Sequence, residues 1–161
     1  LEVEASKKLD FIGDFFSAFT AGANVTVVKT EVERSNSVDL PEGQRMRPMV
    51  GQSPFIVNGS LGYNDLDNGW EATASFNRQA KKLLIAGFGS SADVYDQPFN
   101  SLNFKASKKF GLDNKFKVSL GVANILGDNR EKLYEAFSGD TGIFEAYNPG
   151  RTISVGFSTS L

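Results

Sequence analysis

Apolar and polar side chains take turns, residue by residue, in seven stretches of this chain, a period that suits strands with one face in each environment. The stretches lie near 1–12, 20–32, 54–64, 70–79, 100–110, 115–124 and 151–161. The first sets Leu1, Val3, Ala5, Leu9 and Phe11, interrupted by Lys7, against Glu2, Glu4, Ser6, Lys8 and Asp10. The fourth alternates Trp70, Ala72, Ala74 and Phe76 with Glu71, Thr73, Ser75 and Asn77. The sixth sets Phe116, Val118, Leu120 and Val122 against Lys117, Ser119 and Gly121, and the last repeats this with Ile153, Val155, Phe157 and Leu161. A helical period competes only weakly, near Asn129 to Phe137. Strands of about 10 residues, at roughly 3.3 Å per residue and a ~45° tilt, cross about 23 Å, close to the ~25 Å apolar band of a membrane barrel.

Alternation alone also suits a soluble barrel, and the connections separate the two. Short ones (Gly13 to Phe19, Asn64 to Gly69, Gly111 to Lys115) take turns with long ones (roughly Glu33 to Ser53, Gln79 to Asn100, Ile125 to Gly150). Asn, Asp and Gly, which tolerate left-handed turn conformations, fill the second and third short connections. Outer-membrane barrels sort their loops this way, short on the periplasmic side and long on the extracellular side. The expected fold is therefore all-β: an antiparallel transmembrane barrel segment of about seven strands in the bacterial outer membrane. The run Leu83 to Phe88 either extends the fourth strand or forms a separate element.

An all-antiparallel barrel closes only with an even number of strands, and lipid tolerates no open edge. Seven strands are thus expected to be a piece of a larger barrel, completed by further strands of the same protein. Lys105, Lys117 and Glu71 share the polar parity and suit a wet lumen.

Composition removes most other chemistry. The 161 residues contain no Cys and no His, so thiol and imidazole metal sites and the commonest general base are excluded. No Asp-rich calcium loop is present, and a net charge of −2 gives no reason to expect nucleic acid. No enzyme activity, catalytic residue, cofactor or metal is expected.

Individual candidates are read against plainer alternatives. Asp93 and Asp96, flanking Tyr95, are ligand-contacting groups in a loop or, as favoured, solvated loop residues. Arg45-Met46-Arg47 suits anionic lipopolysaccharide, but a solvated loop is again favoured. The pairs Glu31/Glu33 and Glu131/Glu135 read as surface charges. Asn24-Val25-Thr26 and Asn58-Gly59-Ser60 match the glycosylation pattern but fall mid-strand. Trp70, Tyr63, Phe55 and Phe116 lie near strand ends, where an aromatic girdle belongs.

Three runs carry a resemblance. They are Tyr95-Asp96-Gln97-Pro98-Phe99-Asn100-Ser101-Leu102-Asn103-Phe104-Lys105-Ala106-Ser107-Lys108-Lys109-Phe110-Gly111, then Phe116 to Asp128 with its Asn124-Ile125-Leu126-Gly127-Asp128 corner, then Tyr147-Asn148-Pro149-Gly150-Arg151-Thr152 before the last strand. In this order they resemble the last third of TonB-dependent outer-membrane receptors of the Bacteroidetes type, which usually end on an aromatic residue where Leu161 stands here. The resemblance implies a barrel of about 22 strands around a plug, importing a ligand with energy relayed by TonB. Its partners would be outer-membrane lipid, the remaining strands and plug of the same receptor, TonB through the plug region, and a surface lipoprotein. The residues alone leave two alternatives: a small autonomous barrel of about eight strands serving as anchor or adhesin, and, with little weight, a soluble lipid-binding barrel.

Overall fold

The computed structural model describes residues 1–34, 45–88, 91–136 and 138–160; Leu161, the end of the last expected strand, lies outside them. Among the described residues thirteen strands follow in chain order: β1 Glu2–Lys8, β2 Phe19–Val27, β3 Val32–Glu33, β4 Met46–Arg47, β5 Phe55–Asp65, β6 Trp70–Gln79, β7 Lys82–Ile85, β8 Asp93–Asp96, β9 Phe99–Phe110, β10 Phe116–Ala123, β11 Arg130–Glu135, β12 Thr141–Tyr147 and β13 Thr152–Thr159.

Seven of them, β1-β2-β5-β6-β9-β10-β13, form one antiparallel sheet in which strands adjacent in space are also successive members of the sheet in sequence. They are the seven alternating stretches. The register stacks like with like. One row reads Lys7, Ala21, Leu61, Ala74, Phe104, Val122 and Ile153; the next parity reads Ser6, Gly22, Ser60, Ser75 and Asn103. A slip of one residue in any strand would exchange its faces, so this pattern fixes the register.

The sheet is inside-out compared with a soluble domain. Val3, Leu61, Phe104, Val118, Leu120, Val155 and Phe157, all on the apolar face, are exposed. The buried apolar residues Ala80, Leu83, Val94 and Phe99 instead cluster at one end of the sheet. An apolar face this wide, left bare by the protein, is what lipid covers.

Tight turns close the opposite end. Asn68 donates its backbone N–H and its amide to the Asp65 carboxylate, at 3.0 and 2.8 Å, shaping the β5–β6 turn. Gly69 has φ +68°, and a Cβ there would meet the Lys109 carbonyl oxygen at 2.8 Å, so only glycine fits. Asp113 and Asn114 reach φ +56° in the β9–β10 turn, a conformation these two residue types accept. The β1–β2 connection coils into 3-10 turns at Asp10–Ile12 and Asp14–Ala18. The first strand consequently stops at Lys8, and Leu9 and Phe11 are not part of its face.

The long connections hold structure that alternation does not reveal. β12-β11-β8-β7 pair into a second, four-stranded antiparallel sheet, and β3 and β4 form a two-residue ribbon. Leu83 to Phe88 therefore contributes a separate element, β7, rather than an extension of β6. Asn129 to Phe137, where a weak helical period was read, contains strand β11. Its Arg-Glu-Lys-Leu-Tyr-Glu sequence spaces Leu133 against charged neighbours as a helix would, but pairing with β8 and β12 decides.

Candidate functional site

Two surfaces carry polar chemistry: the polar face of the main sheet and the outer sheet beyond its end. On the first, an amide ladder crosses four strands. Asn77 donates to the Oδ1 of Asn58 at 2.7 Å, Asn58 to the Oδ1 of Asn24 at 3.4 Å, and Asn24 to the Glu2 carboxylate at 2.7 Å. Asn24, Asn58 and Asn77 occupy one register row, so alternation itself stacks the amides, and each donor is oriented the same way. With Ser6, Ser60, Ser75 and Asn103 they line a depression of about 410 Å³. Asn24 and Asn58, both on paired strands inside this ladder, are thereby occupied as structural groups.

Nearer the tight turns, Glu71 accepts from Lys109 at 3.2 Å, Lys117 at 3.1 Å and the Ser107 hydroxyl at 3.2 Å. Lys105, Lys117 and Glu71 thus share one face, as their parity requires. Lys108 falls on the opposite, apolar face, level with Val118 and Trp70. Its amine bends back to the Asn68 carbonyl and lies 5.0 Å from the centre of the Trp70 ring.

Aromatic rings gather at the same end. Phe19 and Tyr63 lie 4.9 Å apart, Phe110 and Phe116 5.6 Å, and Phe116 and Phe157 6.0 Å, centroid to centroid. Trp70, Tyr63 and Phe116 therefore belong to one end, while Phe55 begins β5 at the other.

The outer sheet overturns two readings of the sequence. Asp93 and Asp96 are not solvated loop residues: they are 2% and 9% exposed. Arg34 pairs with Asp93 at 2.5 Å and Arg47 at 3.2 Å, and the Gly87 N–H donates to the same carboxylate at 2.8 Å. Asp96 pairs with Lys82 at 3.5 Å. Arg47 is consequently committed inside the protein and does not extend into solvent as a loop cation. Its guanidinium also donates to the Gly87 carbonyl at 3.0 Å, joining the β3–β4 ribbon to the outer sheet. A carboxylate this deep is tolerable only because its charge and its lone pairs are met together.

Glu31 pairs with exposed Lys29 at 3.2 Å, and Glu135 with Lys81 at 2.5 Å, so neither pair forms an acid–base couple. Burial, with the nearby Asp93 charge, raises the Tyr95 hydroxyl pKa. Asp128 clamps the joint between the sheets by accepting from the Asn100 N–H at 2.8 Å and the Asn100 amide at 2.9 Å. The Asn100 N–H is the main reason the Asp128 pKa lies below the ordinary carboxylate value. Among the described residues no group of three or more Asp and Glu could hold a metal ion.

No curated protein and no solved structure matches the chain. A family profile matches residues 5–158, nearly the whole sequence. Antiparallel strands, a lipid-ready apolar face, a hydrogen-bonded polar face and sorted turns agree with that match, and this chain belongs to the outer membrane protein beta-barrel family of the bacterial outer membrane.

Proposed function

We propose that this chain is the C-terminal part of the barrel of a TonB-dependent outer-membrane transporter, which imports a ligand across the outer membrane. The observation that carries the reading is the open sheet: seven strands, with β1 and β13 each paired on one side only among the described residues. An unpaired strand edge in hydrocarbon leaves a row of donors and acceptors, each costing several kcal/mol, so further strands must complete the wall. The three runs that resemble the last third of these receptors supply the class. The outer sheet faces the medium, where an imported ligand is first met, and the polar face lines the lumen.

Expressing residues 1–161 alone and refolding them in detergent micelles tests the reading. A heterogeneous, protease-sensitive product is expected, because both edges stay open. A monodisperse, heat-modifiable, protease-resistant monomer would favour the small autonomous barrel. The intact protein should also bind the periplasmic domain of TonB, and failure to do so would separate it from the transporter class.

A further inference from the structure

The outer sheet repeats the order of the main one. β7 follows β6, β8 leads into β9, β11 follows β10 and β12 leads into β13, so β7-β8-β11-β12 continues β6-β9-β10-β13 above the membrane. Its two edges are treated differently. At β7 the preceding outer connection closes in: the Gly51 N–H donates to the Leu83 carbonyl at 2.7 Å, and Arg34 and Arg47 fasten the same connection to Asp93. At β12 no strand pairs on the far side among the described residues.

Yet β12 has the composition of an inner strand. Ile143, Phe144 and Tyr147 are 71%, 53% and 50% exposed, and they occupy both faces. Natural edges are blunted by charge, proline or bulges; β12 bulges at Phe144, where its register with β11 shifts, but it has no proline, and its one charged residue, Glu145, is turned to Lys132 on its paired neighbour β11. The free edge of β12 also lies on the same side as the free edge of β13.

We propose that β12 is a docking edge for an extended segment of the next outer loop of the same barrel, which pairs with it as a fifth strand of the outer sheet. The strand that seats on β13 brings this loop alongside, just as β5 brings the 45–54 segment alongside β7. The occupant is an extended backbone with apolar side chains to cover Ile143, Phe144 and Tyr147, since main-chain bonds supply affinity and alternate side chains the fit. The proposal rests on the reading that further strands of this protein complete the barrel.

Amide hydrogen exchange on the intact protein, purified as a monodisperse single polypeptide in micelles, tests it. Protection of both β13 and β12 is expected, with alternate β12 amides exchanging on the order of 100-fold more slowly than at a free edge. Protection of β13 with free exchange along β12 would overturn the docking edge and leave the larger barrel standing. Free exchange at both would overturn the larger barrel itself. Protection of β12 that disappears on dilution would mean that a second copy covers the edge, and protection seen only with an added partner protein would mean an intermolecular strand; either overturns the proposal. Ile143→Cys gives a second reading in the intact protein: its thiol should resist an impermeant reagent, and rapid labelling would overturn the docking edge.

Discussion

Trp70 and Lys108 stand opposite each other on β6 and β9, on the apolar face, with the lysine amine 5.0 Å from the indole centre. A charge on a lipid-facing surface is tolerable here because the position lies beside the tight turn, where the amine reaches the Asn68 carbonyl. Contacts of this kind contribute about 0.5–1 kcal/mol. Trp70→Leu and Lys108→Gln should each lower barrel stability by about that amount, and the double variant by less than their sum. Urea unfolding of the intact protein would check this, and full additivity would show that the two side chains do not interact.

The two faces of β10 should respond oppositely to charge. Val118 shares its row with Phe157, and Ser119 shares its row with Gly156 and Ser107. Leu120→Arg, at the middle of β10 in the row of Val155 and Ala106, should cost about 2–4 kcal/mol toward the membrane midplane, and Ser119→Arg little. Equal tolerance in the intact protein would mean that the faces have been assigned wrongly.

Asp93 fastens the first outer connection to the outer sheet. Asp93→Ala leaves Arg34 and Arg47 facing each other without their shared carboxylate, a loss of about 3–5 kcal/mol for a buried pair. The damage should stay outside the membrane: faster surface proteolysis of the 28–54 connection, with heat-modifiability retained. Unchanged proteolysis would refute the fastening role.

Asp128 gives the joint between the sheets a pH dependence of definite sign. Its folded pKa is lowered, chiefly by the Asn100 N–H, so its contribution is complete above the ordinary carboxylate pKa of 3.8 and is lost as pH falls through the folded value. Exchange of the Asn100 amide should therefore accelerate below about pH 4, beyond the intrinsic trend, and Asp128→Asn should abolish that extra acceleration.

Sidedness can be read with single cysteines, because the sequence contains none. Ser91→Cys, beyond the outer end of the sheet, should label on whole cells with an impermeant thiol reagent, and Asn114→Cys, in a tight turn, should not. The neighbouring Ser90 lies outside the described residues. The reverse pattern would invert the barrel in the membrane.

The membrane sheet was legible in the sequence because lipid and lumen impose one rule on every strand, and residues such as Phe116, Val118, Leu120 and Val122 obey it over a full crossing. The outer sheet escaped. β7 and β8 have four residues each, too few for a period to register, and β11 imitates a helix. Asp93 offered no local sign of burial, since its partners Arg34 and Arg47 lie 59 and 46 residues away in the chain. The amide ladder was half visible: Asn24, Asn58 and Asn77 share the polar parity, but only the register aligns them.

Because each outer strand prolongs a membrane strand, the exterior of this protein is not free to drift in length as surface loops do. An insertion at the Asn148–Arg151 joint would push β12 out of step with β13 and its pairing with β11 at once. An insertion after Gly139, exposed with φ +90° and nothing within 4 Å of a Cβ, lengthens only the hairpin tip. Variation between related barrels, and any peptide grafted for display on the cell surface, is thus channelled to such tips, while the stem beneath them is inherited with the wall.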